Sequence, residues 1–206
     1  MLPSHIVYSK ILFIICFLAL VSTTVALTIG EAAPEFKLSD SEGKIHSLSQ
    51  YKGKIVVLEW TNYECPFVVK HYDSGNMQEI QKKYVAKEVI WLSICSSGKG
   101  KQGNFSNSKL KEKITKCNAA CSAYLIDEDG KVGKNYGAKT TPHMFVINPE
   151  GKLVYQGAID SIPSYDKEDI SKANNYVTLA LEALASGKKV NPDTTKSYGC
   201  SVKYAD

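Results

Sequence analysis

Two apolar runs, residues 55–60 and 88–95, bracket a helical stretch, and this arrangement constrains the fold more than any other feature. A strand that is apolar at nearly every position is covered on both faces. Strand, helix and strand at this spacing predict a βαβ unit whose two strands lie parallel. The first run leads through Thr61-Asn62-Tyr63-Glu64 into Cys65-Pro66-Phe67. Pro66 suits the first helical position, where a missing N–H costs nothing. Cys65 then stands where unpaired helix N–H groups and the macrodipole favour a thiolate. The placement points to redox chemistry at Cys65.

The chain of 206 residues fits one domain with extensions. Its net charge of +4 is modest and spread along the sequence, with no basic block interleaved with aromatics, so nucleic acid is not an expected partner. Arginine is absent and every strong base is lysine. Residues 1–26 run from Lys10 through an apolar core, 11–20, to Thr24-Val25-Ala26, the layout of a secretory signal cut after Ala26. An uncleaved anchor is the alternative, although the apolar stretch is short for a span. Cleavage leaves Cys65, Cys95, Cys117, Cys121 and Cys200 for an oxidising compartment, periplasmic or secreted, with no membrane attachment. Five is odd, so at least one thiol stays free, is modified or pairs with another chain.

Helical pattern extends over 66–86 but is broken at Ser74-Gly75-Asn76, which predicts a kink or two shorter helices. Gly98-Lys99-Gly100-Lys101-Gln102-Gly103 half-matches a phosphate loop, yet Asn104 and Phe105 stand where Lys and Ser/Thr are needed. Asn104-Phe105-Ser106 is a glycosylation sequon, relevant in a eukaryotic secretory route. A helix is expected over 109–121, a strand over 124–126 and a plain acidic turn over 127–130. Residues 143–148 and 153–157 read as a β-hairpin around Pro149-Glu150-Gly151. A polar loop is expected at 160–170 and an amphipathic helix over 172–186 ended by Gly187. The expected domain is therefore 27–187, followed by a tail, 188–206, carrying Gly199-Cys200-Ser201-Val202-Lys203-Tyr204.

This order of elements, with Thr140-Thr141-Pro142 just before the hairpin, resembles the thioredoxin-like superfamily. More narrowly it resembles exported redoxin-domain proteins of the peroxiredoxin and alkyl-hydroperoxide-reductase type. The matching pieces are residues 30–36, 60–67, 136–146, 151–160 and the tail, 198–204. The resemblance implies an α/β fold with a central mixed sheet, the βαβ unit, a C-terminal hairpin and a terminal helix. It also implies that Pro142 is a cis-proline beside Cys65, with the Thr141 backbone available to hold an extended peptide or thiol substrate. The implied partners are a thiol or disulfide redox partner or a peroxide, with no cofactor and no metal.

Two departures shape the expected activity. Thioredoxins carry Cys-x-x-Cys at the helix entry, and here Asn62 stands at the first cysteine. Peroxiredoxins place Thr or Ser at the Asn62 offset and use an arginine, whose planar fork lysine cannot copy. Cys200 is the candidate that resolves Cys65, or else a permanent staple of the tail or a free thiol. Cys95 lies at the functional edge of the sheet, or is an inert buried thiol. Cys117 and Cys121, at i and i+4 on the expected helix, suit a local disulfide, two free thiols or a soft metal. His143 and Glu59 are the candidates for tuning the thiol pKa, Glu59 alternatively reaching solvent at a strand end. His71 is expected to face solvent. Three functions fit: a thiol oxidoreductase or antioxidant enzyme using Cys65, a non-catalytic binding module with structural cysteines, and a copper or zinc carrier built on Cys65 with His143 or on Cys117 with Cys121. Oligomeric state is not legible.

Overall fold

The computed structural model describes residues 27–206; the expected signal and Cys16 lie outside the described residues. Among the described residues no helix is long and apolar enough to cross a membrane. The first strands, β1 (Lys37–Asp40) and β2 (Ile45–Ser47), form an antiparallel pair at one edge. Residues 48–51 continue β2 as a 3₁₀ turn. The strand β3 (Val56–Trp60) is buried along its whole length, as its apolar run requires. Two helices follow, α1 (Pro66–Asp73) and α2 (Asn76–Val85), separated by Gly75 at φ +81°. That left-handed backbone is open to glycine at little cost and explains the break. Next, β4 (Ile90–Cys95) pairs with β3 in parallel, Leu58 opposite Leu92.

The helix α3 (Asn107–Lys116) is capped by Ser106, whose hydroxyl accepts from the Lys109 N–H. It ends sooner than its pattern predicts, because Asn118 adopts φ +49° just past the C-cap at Cys117. Cys121 therefore lies beyond the helix, and the expected i, i+4 face with Cys117 does not form. After β5 (Ala123–Ile126) and the short α4 (Lys131–Asn135) come β6 (Thr140–Thr141), β7 (His143–Ile147) and β8 (Leu153–Gly157). The helix α5 (Tyr176–Ala185) is capped by Asn175.

The main sheet runs β2-β1-β5-β4-β3-β7-β8. Its centre is parallel and both flanks are antiparallel, the mixed α/β architecture that the family resemblance implies. Alternate residues of β3 feed two cores. Val57 joins Val68, Tyr72, Met77, Val177 and Leu181 beneath α1, α2 and α5. Leu58 and Trp60 join Phe36, Tyr136 and Phe145 on the other face. Trp60 packs edge-on to Phe145 at 5.1 Å and its Nε1 donates to Ser96 Oγ at 2.9 Å.

The tail is part of this body. It runs beside β8, where the Gln156 N–H donates to the Asp193 carbonyl and the Thr195 N–H to the Gln156 carbonyl, both at 3.0 Å. It then crosses the end of the sheet as β9 (Cys200–Ser201), antiparallel to β6, with Cys200 opposite Thr141. Beyond that, the Val202 N–H donates to the Lys139 carbonyl and the Tyr204 hydroxyl to the Ala138 carbonyl. A hydrogen bond contributes about 1 kcal/mol net, whereas ordering one backbone residue costs about 1–2 kcal/mol. The strap therefore also depends on side-chain burial, with Val190 buried and Tyr198, Val202 and Tyr204 half-buried.

Gly199 makes the crossing possible. It sits at φ +132°, and a Cβ there would collide with the Thr141 carbonyl. Gly199→Ala is expected to undock β9, to cost about 1–3 kcal/mol in urea unfolding and to speed tryptic cleavage after Lys196. Unchanged stability with unchanged cleavage would contradict the tight crossing.

Candidate functional site

The turn between β3 and α1 is built by Asn62. Its Oδ1 accepts from the Glu64 N–H at 2.9 Å, its backbone carbonyl accepts from the Cys65 N–H at 2.9 Å, and its Nδ2 donates to the Gln102 carbonyl at 3.3 Å. Asn62 is buried, and its side chain shapes the turn without bonding the thiol. Cys65 is the N-cap of α1 with Pro66 behind it. Its carbonyl accepts from the Val68 and Val69 N–H groups at 2.9 Å.

The Thr141–Pro142 peptide is cis. It turns the Thr141 carbonyl onto the thiol, which donates to it at 3.0 Å. The second neighbour comes from the tail: Cys200 Sγ lies 2.6 Å from Cys65 Sγ. Cys65 is 0% exposed and Cys200 is half-buried. The two thiols are driven apart in acidity. Burial pushes Cys65 up, but Cys200, the Thr141 side chain and the Val68 N–H, each able to donate to a thiolate there, outweigh it, leaving Cys65 below the ordinary thiol value. Burial, reinforced by the hydrogen bond and charge of Cys65, pushes Cys200 up to about 11.

Glu59 is fully buried on the α1/α2 side of β3 and does not reach solvent at the strand end. Tyr72 Oη donates to Oε1 at 2.9 Å; Trp91 Nε1, Ser93 Oγ and Gln81 Nε2 donate to Oε2 at 2.8, 2.9 and 3.1 Å. Burial raises its pKa, with Trp91, Ser93 and Tyr72 opposing. None of these bonds goes to Cys65. The charge of Glu59 is felt at Cys121, whose thiol burial and Glu59 push up to about 11. Cys117 is raised by burial, and Cys95 is a buried thiol within 3.4 Å of the Gly103 carbonyl.

His143 does not join the thiols. It shares a face of β7 with Phe145, on which its ring packs at 4.5 Å, and that face belongs to the Trp60 core. Its Nδ1 accepts from the Lys139 N–H at 3.2 Å. Period-two alternation thus turns it away from the core that contains Cys65. The pairing of His143 with Cys65, considered for a metal, is not formed, and among the described residues no group of three or more His, Cys, Asp or Glu is arranged to hold a metal ion.

His71 corrects a second expectation. It is 0% exposed, as α1 is covered by the 160–172 segment and the tail. His71 and the equally buried Lys70 both face Asp160, with Lys70 Nζ at 3.5 Å and His71 Nε2 at 3.8 Å from Oδ2. Asp160 Oδ1 accepts from the Tyr198 hydroxyl, and Lys70 Nζ lies 5.9 Å from the Tyr198 ring. Phe67 packs edge-on to Tyr198 at 5.9 Å. This cluster fastens the tail two residues before Cys200. Nothing in the local pattern of 160–170 marks Asp160; its only signal is the adjacent Lys70 and His71 on α1.

These features define a class: a thioredoxin-like α/β domain with a helix-start cysteine against a cis-proline. Comparison with known proteins agrees. The chain belongs to the AhpC/TSA family, whose model matches residues 29–156. It is 30% identical over 129 residues to the thiol-disulfide oxidoreductase ResA of Geobacillus thermodenitrificans, covering 62% of this chain and 68% of that one. An uncharacterized conserved protein from Geobacillus kaustophilus superposes with a TM-score of 0.72 at 27% identity, over 87% of this chain and 93% of the other. A hypothetical protein from Sinorhizobium meliloti gives 0.73 at 23% identity, over 88% and 97%. The pneumococcal exposed lipoprotein thioredoxin gives 0.50 at 28% identity, over 68% and 96%. The family is thus that of thiol-disulfide oxidoreductase-like redoxins with a thioredoxin-like fold.

Burial lowers His143 from 6.5 to about 4, with Lys139 adding to it. The unfolded chain then binds the extra proton between these values, so His143 contributes stability above pH 6.5 that is lost as pH falls toward 4. His143→Gln, which keeps an acceptor for Lys139, is expected to remove one proton's slope from that window, roughly 3 kcal/mol across it. Urea unfolding of both proteins at pH 4.5, 5.5 and 7 checks this; parallel profiles would contradict it.

Proposed function

We propose that this chain is an exported thiol–disulfide oxidoreductase whose redox couple is Cys65 and Cys200. The observation that carries the reading is the 2.6 Å approach of the two sulfurs at the cis-proline. Asn62 excludes a local dithiol at the helix entry, and the tail supplies the missing sulfur from 135 residues away. Closing the Cys65–Cys200 bond releases two electrons and two protons to a disulfide acceptor, and opening it takes them back from thiols. Thr141 and Pro142 hold the segment against which both cysteines meet. Export is supported by the charged, apolar and small-residue layout of residues 10–26 and by the likeness to the pneumococcal exposed lipoprotein thioredoxin.

Disulfide exchange is favoured over peroxide reduction by two facts. Cys65 is sealed beneath Cys200, and no arginine exists to hold a peroxide. Among the described residues the other three cysteines are not hydrogen-bonded to a second sulfur, and Cys95 is buried against the Gly103 carbonyl.

Turnover of a small aromatic disulfide with excess dithiol reductant tests the couple. Cys65→Ser and Cys200→Ser are each expected to lower turnover on the order of 100-fold, while Cys117→Ser with Cys121→Ser changes it by less than about two-fold. Full turnover in Cys200→Ser would contradict the couple. Faster reaction with hydrogen peroxide than with disulfide would contradict the substrate class.

A further inference from the structure

Cys65 is the cysteine that the helix start marks as reactive, yet its surroundings leave no route to it. It is 0% exposed, within the core formed by Tyr63, Val68 and Met144. Its remaining approaches are occupied by the Thr141 carbonyl at 3.0 Å and by Cys200 Sγ at 2.6 Å. Cys200 differs. It is half-buried on the outer strand of a two-stranded pair, followed by the exposed Ser201. Thiol–disulfide exchange is an attack on one sulfur with departure of the other, and access decides which sulfur is struck. The attacking thiolate approaches in line with the bond, from the side opposite the leaving sulfur. For Cys65 that side is the core, and for Cys200 it is the outer side of the tail.

We propose that Cys200, not Cys65, is the sulfur that an external thiol attacks, so that the mixed disulfide is carried on the C-terminal tail and Cys65 is the buried leaving group. This rests on the reading of Cys65 and Cys200 as the redox couple and assigns the order of events within it. The external thiolate forms a bond to Cys200 Sγ as the Cys65–Cys200 bond breaks, and the electron pair of that bond goes to Cys65 as its thiolate. A second external thiolate then attacks the partner sulfur of the mixed disulfide. That step releases Cys200, which takes a proton from solvent, and yields the disulfide of the two external thiols. Two thiols are oxidised and one protein disulfide is reduced. In the reverse direction Cys200 engages the substrate disulfide and Cys65 closes the bond.

Two further observations fit Cys65 as the leaving group. The Thr141 hydroxyl is buried without a hydrogen-bond partner, on the residue directly opposite Cys200, and a thiolate formed at Cys65 gives it an acceptor. The acidities point the same way: Cys65 lies below the ordinary thiol value and Cys200 near 11, and the thiol of lower pKa leaves faster. The tail is also built to hold a covalent load. Tyr198 is fixed to Asp160 and Phe67, and Tyr204 to the Ala138 carbonyl, so Cys200 is anchored on both sides.

The test uses the full mature chain, oxidised, reacted with glutathione and quenched with excess N-ethylmaleimide at times shorter than one turnover. Tryptic peptides 55–70 and 197–203 separate the two cysteines. The expected product carries glutathione on Cys200 and maleimide on Cys65, exceeding the opposite pattern by about ten-fold or more. Glutathione on Cys65 would overturn the proposal. Reduced single-cysteine variants decide the case if the wild-type adduct is too short-lived to map. Cys200 in Cys65→Ser should capture glutathione disulfide about ten-fold faster than Cys65 in Cys200→Ser, because access outweighs the greater acidity of the buried Cys65. Equal or faster capture at Cys65 would overturn the order of attack while leaving the couple intact. An oxidised chain with no Cys65–Cys200 bond would contradict the couple itself.

Discussion

The pairing of two tail residues with Thr140 and Thr141 is the contact on which the site depends. It places Cys200 opposite Thr141 and so over Cys65. Two residues cannot hold a strand by themselves. The pairing persists because the tail is fastened before and after it: by Thr195 Oγ1, which accepts from the Ala158 N–H, by Tyr198 on Asp160, and by the Gly98 N–H on the Lys203 carbonyl. Close approach at Gly98, Gly133 and Gly199 is part of the same design, since a Cβ at each would meet Ala205, Tyr204 or the Thr141 carbonyl. Two sulfurs that thioredoxins keep within one helical turn are here brought together by the whole C-terminal strap.

The buried charges follow from this construction. Covering α1 with the strap takes Lys70 and His71 out of water; Asp160 is the carboxylate that meets Lys70, while burial lowers His71 to about 4 and keeps it neutral near pH 7. Removing one partner of such a cluster costs far more than the cluster contributes, because the other charge is left unpaired. Glu59 is the second buried carboxyl, and it is met by neutral donors on four side chains. Its distance in bonding from Cys65 separates two questions that the helix-start motif runs together: what presents the thiol, and what sets its acidity. The turn of Asn62 answers the first; Cys200, Thr141 and the Val68 N–H answer the second.

Much of the fold is legible in the residue pattern because it is local. The two apolar runs become β3 and β4, the glycine break becomes the junction of α1 and α2, and Pro149-Glu150-Gly151 becomes the hairpin turn. What the pattern misses is made by segments far apart in the chain. The sequence of α1 puts His71 toward solvent, and nothing along it reveals that residues near 160 and 198 cover that side. Cys117 and Cys121 read as neighbours on a helix until the left-handed Asn118 ends it. His143 follows Pro142 directly, but strand alternation sends its side chain through to the opposite face. Cys65 and the fold around it are visible locally; the identity of its partner sulfur comes only from the path of the tail.

A non-reducing peptide map of the oxidised full chain tests the central claim most directly. The account predicts residues 55–70 and 197–203 joined through Cys65 and Cys200, with Cys95, Cys117 and Cys121 recovered as thiols. Recovery of Cys65 or Cys200 as a free thiol, with a bond between Cys117 and Cys121 in its place, would contradict it.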